Sequence, residues 1–131
     1  MLKRSVFPAL LFGCVATAAS ASGPAVTEAL PVGSDELAAG NNAGAIAEIM
    51  AADSLSLHDP ARLINLGIAH AREGDHRRAE AYFRAALRSE ERARLETITG
   101  EWVDSRELAR QGLRKLASGE FTAAGSLASL R

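Results

Sequence analysis

Three histidines, His58, His70 and His76, and one cysteine, Cys14, are the residues most able to do chemistry in this chain. Two metal ligands on one helical face need a spacing of about four residues. No pair of these histidines has it, and the cysteine falls in a segment that reads as a leader, so no metal is expected. Ser54 and Ser56 lie close to His58, but in a connection between helices, and no Gly-x-Ser-x-Gly nucleophile turn occurs. The glycines at 40 and 44 enclose Asn-Asn-Ala, which is turn chemistry rather than a phosphate cradle. Carboxylates are many, and no pair is marked out as an acid and its base. The expectation is no catalytic residue, no cofactor and no enzymatic activity. A metal-dependent enzyme using His70 and nearby acids is the remote alternative. His70 itself reads as a half-buried packing residue and His76 as a turn residue.

The elements around these residues follow from composition. At 131 residues one domain is the prior. Aromatic residues are 5% and alanine is abundant. A core of alanine and leucine with few rings calls for closely packed helices rather than a sandwich or barrel. The formal net charge of −1 argues against a nucleic-acid binder, and one cysteine allows no intrachain disulfide.

Lys3 and Arg4 precede an uncharged, mostly apolar run from Ser5 to Ala19, and Ala19-Ser20-Ala21 is a small-x-small motif. This pattern predicts a signal peptide over 1–21, a mature start near Ser22 and a periplasmic location. The alternative is that Leu11-Phe12-Gly13-Cys14, which resembles a lipobox, makes 1–13 a lipoprotein signal. Cys14 would then be lipidated and the protein anchored in the envelope. No later stretch is long and apolar enough to span a membrane. Residues 22–33, with two prolines and two glycines, read as a flexible linker. Charge is uneven beyond the leader: residues 22–60 hold six acidic residues and no Lys or Arg, and residues 61–131 hold 13 basic and ten acidic. This fits solvated helix faces.

From Ser34 onward a helical pattern repeats. Gly40 and Gly74, Ala45 and Ala79, Ile49 and Phe83, and Ala52 and Ala86 are each 34 residues apart. The clearest unit runs from Pro60 to Glu91. Asp59-Pro60 is a helix start. Leu63, Leu66, Gly67, His70 and Ala71 share one face. Gly74-Asp75 turns the chain, and Ala79, Tyr82, Phe83, Ala86 and Leu87 share a face of a second helix.

Leu63, Leu66-Gly67, Gly74-Asp75, Ala79, Phe83 and Ala86 stand at the intervals of the tetratricopeptide repeat, which this chain resembles. His70 and Glu91 depart from the pattern: a large aromatic or aliphatic residue and a proline are usual there. A third copy begins near Ser105, with Leu108, Gly112, Gly119-Glu120 and Ala124 displaced by 45 residues. The first copy has a B helix over Ala43 to Ala52 and a short A helix over Ser34 to Ala39. The resemblance implies an all-α fold over 34–131, of antiparallel helical hairpins stacked as a short solenoid of about 2.5–3 repeats. It also implies a groove lined by the A helices that holds a protein or peptide partner. Its candidates are Asn65, Ile68 and Arg72, then Arg106, Arg110 and Leu113. Asn65 also fits an inter-repeat hydrogen bond. Arg106 and Arg110 share a face, which suits a carboxylate-bearing partner. Gly67 and Ala79 are small where helices cross closely, and Phe83 fills the space beside them.

The insertion between the second and third copies, Arg94 to Asp104, is rich in β-branched residues around Thr99-Gly100. It predicts a β-hairpin pairing Leu95–Ile98 with Glu101–Val103. Trp102, the single tryptophan, is either a staple packing with Leu95 or Ile98, or an exposed partner anchor. Leu127 and Leu130 on the last helix would favour a homo-oligomer or a partner. The preferred expectation is a non-enzymatic interaction module of the periplasm or envelope. A lipid-anchored assembly scaffold is the alternative.

Overall fold

Asp59 followed by proline starts a helix because the carboxylate can accept from the free N–H groups of the first turn, where proline needs none. In the computed structural model, Asp59 accepts from Arg62 N at 2.8 Å and Pro60 opens the helix. The structure describes residues 32–121. The leader, Cys14, the linker as far as residue 31, and Ala124, Leu127 and Leu130 lie outside the described residues.

The order is α1 (Ser34–Ala38), α2 (Asn42–Ala51), α3 (Pro60–Arg72), α4 (His76–Arg88), β1 (Arg94–Glu96), β2 (Trp102–Asp104) and α5 (Ser105–Ala117). The fold is mostly helical with one small two-stranded antiparallel sheet. Each helix packs on the next, and α3 also touches α1 and α5. No helix among the described residues is long and apolar enough to cross a membrane.

The repeated glycines repeat a geometry. Gly40, Gly74 and Gly119 have φ of +77°, +82° and +74°. In each, the glycine N–H bonds the carbonyl three residues back (Leu37, Ala71, Leu116), and the next N–H bonds the carbonyl five back (Glu36, His70, Lys115). This is the Schellman ending, and its left-handed position favours glycine. At the first two of these turns the residue after the glycine caps the next helix: Asn41 accepts from Gly44 N and Asp75 from Arg78 N. One dipeptide thus ends one helix and starts the next.

The core centres on Phe83, which is fully buried on α4. A Cβ on Gly67 of α3 would stand 2.7 Å from its ring, and one on Gly112 of α5 would stand 2.5 Å from it. The ring therefore sits between two helices that present bare backbone. Phe121 stacks on it at 6.1 Å between centroids, and Leu63, Ile64, Ala71, Ala79, Ala86 and Ala109 complete the cluster. A smaller cluster of Leu37, Ala45 and Ala69 joins α1, α2 and α3, and Ile68 packs against both.

Arginines tie the connections to the helices. Arg62 is buried and donates to the carbonyl of Ala52, the residue ending α2, at 3.1 Å. Arg106 donates to the carbonyl of Ser89, which ends α4, also at 3.1 Å. Both bring a cation to the negative end of a helix dipole and satisfy a carbonyl there.

Candidate interaction surface

The residues singled out for an A-helix groove have separate roles. Asn65 Nδ2 donates to the Val32 carbonyl at 2.7 Å, so it forms a bond between successive helical units. Arg72 Nη1 donates to the Leu37 carbonyl at 2.8 Å. Burial lowers the pKa of this guanidinium, and its Nε has no hydrogen-bond partner. Ile68 is core packing. Arg106 is held inward by Ser89, whereas Arg110 is exposed and pairs with Glu107 at 3.4 Å. Arg114 takes the same carboxylate at 3.0 Å, and this bond is the main reason the Glu107 carboxyl sits below its usual range. Arg106 and Arg110 therefore do not present a free fork to a partner carboxylate. Leu113 lines a surface groove between α4 and α5 with Arg77, Glu80, Arg84 and Leu116.

The insertion differs from expectation by one residue of register. Strands Arg94–Glu96 and Trp102–Asp104 pair Leu95 with Val103 and Glu96 with Trp102. The loop is Ile98-Thr99-Gly100, closed by Thr97 N–H to the Glu101 carbonyl at 2.8 Å, with Gly100 at φ +79°. Ile98 is thus at the tip and not in a strand. A two-residue turn centred on Thr99-Gly100 would put Trp102 on the face of Leu95. The three-residue loop moves it to the opposite face, because side chains alternate along a strand. Leu95 packs on the core, and Trp102 points out. Trp102 is not a staple.

The exposed large hydrophobics among the described residues gather at one end of the helices. Trp102 is 55% exposed, Ile98 70%, Leu57 70% and Met50 56%. Met50 lies at the end of α2, Leu57 in the connection to α3, and the other two on the hairpin linking α4 to α5. The two connections are bound together: Ser89 Oγ donates to the His58 carbonyl at 2.7 Å, and Ser56 Oγ to Glu91 Oε1 at 2.6 Å. The hairpin is clamped at its base by Arg92–Asp104 at 2.8 Å and by Ser105 N–H to the Ala93 carbonyl at 2.9 Å. The opposite end, with the Gly40, Gly74 and Gly119 turns, carries none of the four. Sequence reasoning singled out Trp102 but not Met50 or Leu57. The available signal was α2 itself, whose only charged residue is Glu48. A helix that apolar has more hydrophobic surface than α1 and α3 together cover.

His70 is buried and stacks on Tyr82, with ring centroids 5.4 Å apart and 11° between planes. Desolvation is the largest influence on it and holds its pKa below the ordinary value; Asp75 and Glu73 pull it up and Arg78 pulls it down. The unfolded chain therefore takes up this proton first as the pH falls. Stability is full above the unfolded histidine value of about 6.5 and declines below it, until the folded value is reached. Thermal melts at neutral pH and near pH 5.5 should show a lower midpoint at the acid value. His70→Phe should remove that difference. Asp104 and Glu107, whose carboxyls sit low, add their own losses only in the carboxylate range. No group of three His, Cys, Asp or Glu among the described residues is arranged to hold a metal ion.

Comparison of the chain with protein-family models, with curated proteins and with solved structures finds no match in any of the three.

Proposed function

We propose that this chain is a small tetratricopeptide-like interaction module of the periplasm or cell envelope, which binds a protein or peptide and catalyses nothing. The helical frame supports the repeat reading. It has three Schellman turns, the first two 34 residues apart and the third displaced by the hairpin insertion, A helices touching one another, and a phenylalanine seated against glycines of two successive A helices. The observation that carries the binding function is the gathering of Trp102, Ile98, Leu57 and Met50 at one end. Exposed apolar patches on small folded domains mark contact sites, and tryptophan dominates such contacts energetically. The A-helix residues Asn65, Arg72 and Arg106 are committed to internal carbonyls, so the contact surface is assigned to the hairpin end.

A photo-activatable side chain placed at Ile98 should give a discrete adduct in native envelope extracts. The same group at Arg78, by the opposite turns, should give none. Trp102→Ala should weaken the isolated complex at least tenfold, as about 2 kcal/mol at a central anchor implies. No adduct from position 98 would overturn the proposal.

A further inference from the structure

The hairpin end carries exposed carboxylates around its apolar side chains. Glu96 stands directly across from Trp102 in the sheet, and Glu101 precedes it. Asp53 follows α2 beside the Leu57 connection, and Glu90 lies between α4 and the hairpin. All four carboxylates are exposed, and none has an ion-pair partner among the described residues. The nearby cations are engaged differently. Arg92 is paired with Asp104, and Arg94 donates to the Trp102 carbonyl at 2.9 Å. Arg88, at the end of α4, and Arg94 are the exposed cations left without an ion pair there among the described residues, two against the four carboxylates. The apolar patch is thus rimmed by net negative charge, while α4 places Arg77, Arg78 and Arg84 away from it.

We propose that the hairpin end receives a basic amphipathic segment of another protein. Its apolar side chains cover Trp102, Ile98, Leu57 and Met50, and its Lys or Arg side chains meet Asp53, Glu90, Glu96 and Glu101. This rests on the interaction-module reading above and adds the sign and pattern of the ligand. Opposite charge at the rim speeds encounter and rejects acidic competitors, while the apolar centre supplies the affinity. An anionic bilayer would meet the same four carboxylates as repulsion, which favours the protein segment over a membrane.

Trp102 is the single tryptophan, so its emission reports the site directly. The mature chain is titrated with a helical peptide of leucine and arginine, about 18 residues long, and with a leucine–glutamate peptide of the same spacing. The basic peptide should shift the emission to shorter wavelength with saturation, and binding should weaken about tenfold between low salt and about 0.5 M. The acidic peptide should leave the emission unchanged. Glu96→Lys with Glu101→Lys should lose about tenfold for the basic peptide, with the circular dichroism unaltered. Asp53→Lys with Glu90→Lys, away from the strands, serves the same purpose if the first pair disturbs the hairpin. Equal binding of both peptides would overturn the charge assignment and leave the interaction surface standing. An emission shift with anionic vesicles and none with peptide would overturn it in favour of a membrane. No response to any probe, together with no adduct from Ile98, would overturn both readings.

Discussion

Phe83→Ala is expected to lower the unfolding free energy by about 3–5 kcal/mol, the range for removing a fully buried aromatic ring. Among the described residues Phe83 is the largest side chain buried completely, and it touches elements far apart in sequence: Gly67 on α3, Gly112 on α5 and Phe121 beyond it. Its removal leaves a cavity whose walls cannot collapse, because two of them are helix backbone with no side chain to move inward. Small domains have a total stability of about 5–15 kcal/mol, and this one, with an alanine-rich core, has little reserve. A fall in midpoint of roughly 15–30 °C follows for a domain of this size. Urea titration followed by circular dichroism checks it. Phe83→Leu should cost much less, since most of the volume stays. A loss below about 1 kcal/mol for the alanine variant would mean that the ring does not join the helices.

Gly112→Ala is the second, and two effects oppose each other in it. Alanine in a helix interior gains up to about 1 kcal/mol over glycine. Here the added methyl would stand 2.5 Å from the Phe83 ring, well inside contact distance. The ring is held from the other side by α3, where a Cβ on Gly67 would meet it at 2.7 Å. It cannot swing away, so overpacking of about 1–3 kcal/mol wins and the variant is destabilised. The coupling is the sharper measurement. In a Phe83→Leu background the methyl has room, and Gly112→Ala should become neutral or stabilising. The double-mutant cycle should then return an interaction of about 1–2 kcal/mol. Additive effects would place α5 farther from Phe83 than the structure does.

These two substitutions also mark how far the sequence could be read. Gly67, Gly112 and Phe83 stood out by their spacing, and Phe83 was expected to fill space beside Gly67. That one ring serves both glycines follows from α3 and α5 lying on the same side of α4, which no local pattern states. The helix start at Asp59 was legible because a cap bonds an N–H two or three residues away. The strands of the insertion were legible from their β-branched residues. Their register was not. A two-residue and a three-residue loop both suit Thr99-Gly100, and one residue decides which face Trp102 takes.

The arginines show the same boundary. Arg72, Arg106 and Arg110 looked alike as helical cations available to a partner. In the fold, Arg72 bonds the Leu37 carbonyl, Arg106 bonds the Ser89 carbonyl, and only Arg110 stays exposed, beside Glu107. Arg62 drew no notice, yet it is the most buried of the four. A long side chain reaches carbonyls 10 to 35 residues away in sequence, and which one depends on where the helices pack.

The sequence by itself determined the helices, the start at Asp59 and the glycine turns, because each rests on bonds within a few residues. The tertiary structure alone decided which cations are consumed, which face of the hairpin is buried, and that Met50, Leu57, Ile98 and Trp102 lie exposed at the same end of the helices. Those outcomes depend on how separate elements pack against one another, and packing is not written in any one segment.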